Sequence, residues 1–155
     1  MKPKLPTIIF LLALLGVALS TYSLLHNQGF ASGKFCDINT TFNCDIVNKG
    51  PYGWFLGVPV SLLGIVGYGA MAAGAFLKRR NPGDKSLSIF LALSVGGGLV
   101  FSFYLSGIEA VVLHAWCLVC LTSQTTILAM AVLTAVLLLH ERRSTPSLTP
   151  NASPL

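Results

Sequence analysis

Four stretches of the chain contain no Asp, Glu, Lys or Arg: Pro6 to Leu25, Gly57 to Leu77, Leu87 to Leu105 and Cys117 to Leu139. Each runs to about 20 residues, and at ~1.5 Å of rise per residue that is the length a helix needs to cross the ~30 Å hydrocarbon layer of a bilayer. Backbone amides inside lipid must be satisfied within their own segment, so such runs take helical form, and the two-residue alternation of a barrel strand is absent from them. The pattern predicts an all-α integral membrane protein, a four-transmembrane-helix bundle forming one domain over residues 1–143. The Ser-, Thr- and Pro-rich segment from Ser144 to Leu155 reads as a short disordered tail.

Composition supports lipid as the solvent. Hydrophobic residues make up 54% of the chain and charged residues 10%, against about 25% charged in ordinary soluble domains. The net charge of +5 needs no nucleic-acid partner once the positions of the basic residues are followed. Lys2 and Lys4 precede the first run; Lys78, Arg79, Arg80 and Lys85 separate the second from the third; Arg142 and Arg143 follow the fourth. Eight of ten basic residues therefore fall on one side, with only Lys34 and Lys49 opposite. The positive-inside rule makes that side cytoplasmic, with both termini inside. The segments expected outside are a 31-residue loop, His26 to Leu56, and a shorter one, Ser106 to Trp116. A cleavable signal peptide is the rival reading of the first run, since Ala18-Leu19-Ser20 resembles a cleavage site. Its length argues against that, and so does the odd number of spans that cleavage would leave.

All four cysteines then face one compartment: Cys36 and Cys44 in the long outer loop, Cys117 and Cys120 at the outer end of the fourth helix. Such a set can be two structural bridges, a metal site or an exchange relay. A zinc site favours close ligand pairs at both ends, whereas Cys36 and Cys44 are eight apart and no His-rich tract accompanies them. No metal is expected. A static bridge between Cys117 and Cys120 would close a very short loop in a helix the bilayer already holds, which removes little chain entropy. For redox chemistry the same position is apt. A helix N-terminus favours the thiolate of Cys117, and Cys120, one turn deeper, shares a helix face with Cys117 and Gln124. A dithiol at that depth meets a lipid-soluble two-electron acceptor, a quinone, while the loop pair lies where water-soluble proteins reach it. The 13 residues after Cys44 are long enough to bring it over Cys117.

The segments "FCDINTTFNCDIV", "PYGWFLGVPVSLLG" and "WCLVCLTS" resemble the vitamin K epoxide reductase family, in particular its short bacterial members, over roughly residues 35 to 65 and 116 to 124. The eight-residue step between loop cysteines, followed by CxxC, is a family feature. The resemblance implies roles by position: Cys36 exchanges with a thioredoxin-fold, DsbA-like extracytoplasmic protein, Cys44 forms a transient mixed disulfide with Cys117, and Cys120 reacts with the quinone. It implies a membrane thiol oxidase and quinone reductase supporting disulfide bond formation, sited in a bacterial inner membrane with its cysteines facing the periplasm or exterior. Many members carry a fused thioredoxin domain; the chain stops at Leu155, so a separate partner is expected. Ubiquinone, menaquinone or a vitamin K type all fit as the quinone. The alternatives are a vitamin K epoxide or quinone reductase running on the same cysteines, and a non-enzymatic four-span assembly protein with structural disulfides. A DsbB-type oxidase is set aside because it places CxxC in the first outer loop.

Further quinone contacts expected from sequence are Gln124, Ser61 and Phe55. Gln124 stands where vertebrate members have a Tyr, and its amide is also suited to bonding a neighbouring helix. Gly50-Pro51 stands where many members have a Ser or Thr before the aromatic-Gly step. Trp54, Phe55 and Trp116 belong at the membrane surface, where aromatic residues gather. Glu109 and His114 read as solvated loop residues, with His114 close enough to Cys117 to act as a proton relay. Gly64, Gly67 and Gly69, with Gly96-Gly97-Gly98, are expected to permit close helix packing.

Overall fold

The structure, a computed structural model, describes residues 4–32, 34 and 36–143. The expected tail, 144–155, and Lys2 lie outside the described residues. Four long helices dominate: α1 (Lys4–Asn27), α3 (Val60–Arg80), α4 (Lys85–Ile108) and α5 (Leu118–Arg143), with a short α2 (Cys44–Lys49) between the first two. All four long helices have the length and hydropathy to cross a membrane. Their large side chains divide accordingly: Ile9, Met71, Leu91, Val95 and Met130 are buried between helices, while Leu11, Val66, Leu93, Val100 and Val132 face outward, where lipid would meet them.

The helices overshoot the apolar runs at most ends, because helical hydrogen bonding continues into turns that water can reach. Two boundaries differ for local reasons. Helix α3 starts at Val60 and not Gly57: Leu56 and Gly57 have φ of 52° and 82°, the tip of a small hairpin pairing β1 (Trp54–Phe55) with β2 (Val58–Pro59). Glycine takes that conformation without strain, and Pro59, lacking an N–H, leads into the helix. At the other boundary α4 runs on through a π-helical turn, Glu109–Leu113, ended by His114 in the left-handed conformation at φ 49°. The expected loop from Ser106 to Trp116 is therefore mostly helical. Its polar landmark, Glu109, is not solvated but turned into the bundle, where it finds hydrogen-bond donors.

Close approach is used at two of the expected glycines. A Cβ on Gly64 would stand 2.5 Å from Ser20 Oγ of α1, and one on Gly98 would stand 2.6 Å from Ile127 Cδ1 of α5. Gly67, Gly69, Gly96 and Gly97 face open space, so the close packing expected of the two groups falls to one member of each.

At the end away from the cysteines, Lys78 of α3 is 1% exposed. Its Nζ lies 2.6 Å from Glu141 Oε1 of α5 and donates to the Asp84 carbonyl at 2.6 Å. Ser88 Oγ of α4 donates to the same Glu141 oxygen at 2.9 Å. Three helices are thus tied by polar groups that would be costly to bury singly.

Candidate active site

The loop before α2 is folded by its own short polar side chains. Asn39 Oδ1 accepts the N–H groups of Thr41 and Phe42 at 2.9 and 2.8 Å, which closes a turn. Asp37 Oδ1 accepts the N–H of Cys44 at 3.0 Å, and Asn43 Oδ1 caps α2 by accepting the N–H of Ile46 at 3.1 Å. These bonds bring Cys36 and Cys44 together as a disulfide, with Cα atoms 5.5 Å apart.

The same loop is zipped to the segment before α5. Trp116 N–H donates to the Thr41 carbonyl at 2.7 Å, and Asn43 N–H donates to the Trp116 carbonyl at 3.1 Å, a parallel bridge between Phe42 and Trp116. The bridged residues stand two positions before Cys44 and one before Cys117. Cys44 and Cys117 consequently meet, their Sγ atoms 3.0 Å apart. The sulfurs of Cys36, Cys44 and Cys117 all lie within 4.8 Å of one another. Because Cys36 and Cys44 are joined, only Cys117 offers a thiolate there, an arrangement fit for attack on a disulfide.

Cys117 stands immediately ahead of α5 and acts as its cap. Its carbonyl accepts from Leu121 N–H at 2.9 Å, and its Sγ accepts from Cys120 N–H at 3.4 Å, the place a Ser or Asp oxygen takes in other helices. A hydrogen bond from the Cys120 side chain, with the N–H groups of Cys120 and Val119, holds the Cys117 thiol below its ordinary value, against burial and the nearby Glu109 carboxylate. The direction is the one expected from the sequence, but its first cause is the Cys120 thiol, with the N–H groups of the helix end contributing less.

The site is more enclosed than its position in a loop suggested. Cys36, Cys44 and Cys117 are 2%, 1% and 0% exposed, packed with Val47 and Leu113. Thiols are among the most readily buried side chains, so a pair expected within reach of soluble proteins is covered in this arrangement. From α1, Ser23 Oγ donates to Asn48 Oδ1 at 2.8 Å, and Asn27 Nδ2 donates to the Asn48 carbonyl. Asn48 Nδ2 in turn points at Cys117 Sγ, 3.8 Å away. His26 Nε2, buried, lies 3.1 Å from Asp45 Oδ1 and helps seat α2 on α1.

Below Cys117, α1, α3, α4 and α5 enclose a mainly apolar cavity of about 170 Å³. That volume compares with the ~150 Å³ apolar cavity known to take a benzene-sized guest, so one ring fits. Cys120 and Ser61, both named from the sequence as quinone contacts, line it; so do Tyr68, Asn48, Ser106 and Glu109. Gln124 is not among the lining residues: its Oε1 accepts from Ser106 Oγ at 2.6 Å, the helix-bonding alternative. Phe55 also stands back, its exposed ring meeting that of the cavity-lining Phe101 edge-on at 5.5 Å. His114 is exposed.

Sequence reasoning passed over Asn48 and Tyr68 and misjudged Glu109. Tyr68, whose hydroxyl meets Ser123 O and Oγ at 2.9 Å, and Asn48 carry no sequence signal distinguishing them from packing residues. Glu109 does carry one, an acid directly continuing an apolar run, because ionisable residues at membrane depth mark functional sites.

Four membrane helices closing a sulfur cluster over an apolar cavity define a membrane protein equipped for thiol-disulfide redox chemistry. The profile of the Vitamin K epoxide reductase family matches residues 7–135, and the chain belongs to that family. Its members are membrane oxidoreductases acting on disulfides and quinones, generally with thioredoxin-like partners. No individual curated protein matches the chain.

Proposed function

We propose that this protein is a quinone-dependent thiol oxidase that keeps an extracytoplasmic thioredoxin-fold, DsbA-like protein oxidised. The observation that carries the reading is the 3.0 Å approach of Cys44 Sγ to Cys117 Sγ, directly above a cavity that Cys120 lines. A partner thiolate attacks Cys36, releasing Cys44 as thiolate. Cys44 attacks Cys117 of an oxidised helix pair, releasing Cys120, and the loop disulfide re-forms as the partner leaves oxidised. The helix dithiol then gives two electrons and two protons to the quinone, yielding quinol and the Cys117–Cys120 disulfide. The joined Cys36–Cys44 pair beside free Cys117 and Cys120 corresponds to the stage just before quinone reduction.

Burial of Cys36 requires the segment carrying it to lift before a partner can attack. A DsbA-type partner, near about −120 mV, needs a more positive acceptor, which a quinone supplies and cytosolic thiols do not. The charge asymmetry orients the cysteines away from the cytoplasm, in a bacterial inner membrane. The chain's own groups bind a quinone headgroup through Ser61 and the cavity walls, while Gln124 fixes Ser106 at its edge.

The test is optical. Purified protein with reduced thioredoxin-fold protein should reduce a short-chain quinone, and Cys120→Ala should abolish this; full activity in that variant would sink the proposal. Cys36→Ala should block turnover of the protein partner while small dithiols still reduce the helix pair.

A further inference from the structure

Glu109 is the only carboxylate lining the cavity among the described residues, and it is 3% exposed. It opens the π-helical turn that extends α4, an irregularity that often marks functional positions in helices. Its Oε2 accepts the N–H of Cys117 at 3.3 Å, and it lines the same cavity as Cys120. A peg for one backbone N–H needs a single neutral oxygen. A buried acid bonded to the backbone of one member of the reacting dithiol, and lining the cavity that the other member also lines, is suited to more than holding the turn.

We propose that Glu109 is the proton carrier of the quinone half-reaction: its carboxylate takes the Cys120 thiol proton as the dithiol is oxidised and passes it to the reduced ring oxygen. This rests on the reaction proposed above. Two electrons leave as the Cys117–Cys120 bond forms and both enter the quinone. One proton travels from Cys120 through Glu109. The second is the one Cys117 surrendered to water on ionising, taken back from solvent, so dithiol plus quinone becomes disulfide plus quinol. The titratable groups facing Glu109 are Cys117 and Cys120 at the start of α5, with Cys44 of α2 behind Cys117 and Tyr68 of α3 on the same cavity. No basic side chain lines that cavity among the described residues.

Glu109→Gln keeps an acceptor for the Cys117 N–H but cannot carry a proton. In the purified enzyme it should slow quinone reduction by about 100-fold, within the range of general acid–base contributions, with KM for quinone unchanged. Its rate should climb with pH, about tenfold per unit, since Cys120 must now lose its proton to hydroxide. Glu109→Asp should recover part of the rate and the wild-type pH profile. In a Cys36→Ser, Cys120→Ser background, where no Cys120 thiolate is released, formation of the Cys44–Cys117 bond should be unimpaired by Glu109→Gln. Wild-type quinone turnover with an unchanged rate and pH profile in Glu109→Gln overturns the inference and leaves the overall reaction standing. Loss of quinone turnover together with the Cys44–Cys117 bond assigns Glu109 to structure alone and also overturns it. A wild-type protein that reduces no quinone overturns both.

Discussion

If the junction between loop and helix is assembled as described, the variant Cys36→Ser with Cys120→Ser should form a Cys44–Cys117 disulfide on mild oxidation. The two sulfurs are 3.0 Å apart, and a disulfide of about 2.05 Å needs each to move by only about half an ångström, within the reach of side-chain rotation. The bond would close a loop with a sequence separation of 73 residues. Chain-entropy arithmetic gives such a loop about 4.4 kcal/mol of stabilisation, against about 2.5 kcal/mol for the native pair, whose separation is 8. Helices that stay inserted when the bundle comes apart retain part of that constraint, so the first figure is an upper bound. Non-reducing electrophoresis with peptide mapping would identify the bond. Detergent-driven unfolding of oxidised against reduced samples would measure its effect, with a gain of between about 1 and 4 kcal/mol expected. The reasoning fails if Cys44 and Cys117 stay free under oxidant that joins Cys36 to Cys44 in a Cys117→Ser, Cys120→Ser control, or if the bond forms and lowers stability.

Two further outcomes are expected. Cys117, freed in a Cys36→Ser, Cys44→Ser background, should be alkylated with a midpoint below the ordinary thiol value of about 8.5, because its lowered pKa leaves thiolate present at lower pH. Cys120→Ala removes the first cause of that shift, so neutral-pH alkylation should slow; a midpoint that stays or falls, followed by mass shift, contradicts the assignment. At the other end of the bundle, Lys78→Met or Glu141→Leu alone should destabilise by about 2–4 kcal/mol, discounted from a fully buried pair because Glu141 is partly exposed. The double replacement should recover most of that loss in the same unfolding assay, and additive losses would show that the ion pair is not what couples the two positions.

Part of the site was legible residue by residue. The spacing of Cys36 and Cys44, the CxxC at Cys117 and the apolar run behind it were sufficient to name the four sulfurs. Gln124 was left between two uses, and in the structure its Oε1 accepts from Ser106 of the neighbouring helix. Phe55 belonged to an element, the hairpin, that no hydrophobic period predicts in a strand two residues long. Glu109 was misplaced because a loop and a helix extended by a π turn look alike in a polar-containing segment. The apolar run that Glu109 directly continues was the signal that favoured the helix, and the Cys117 N–H bonded to its carboxylate shows it turned inward.

The sequence by itself determined the bundle, since crossing a bilayer depends on the hydropathy of about 20 consecutive residues and needs no knowledge of what lies beside them. It also determined which atoms carry redox chemistry, because that capacity belongs to the side chain. Only the tertiary structure decided what those atoms face: the bridge from Thr41 and Asn43 to Trp116 that sets Cys44 over Cys117, the burial of Cys36, and the carboxylate of Glu109 at the Cys117 N–H. The junction of Cys44 with Cys117 depends on contact between segments some 70 residues apart, whose cost in chain entropy is met by cooperative packing that no local pattern records.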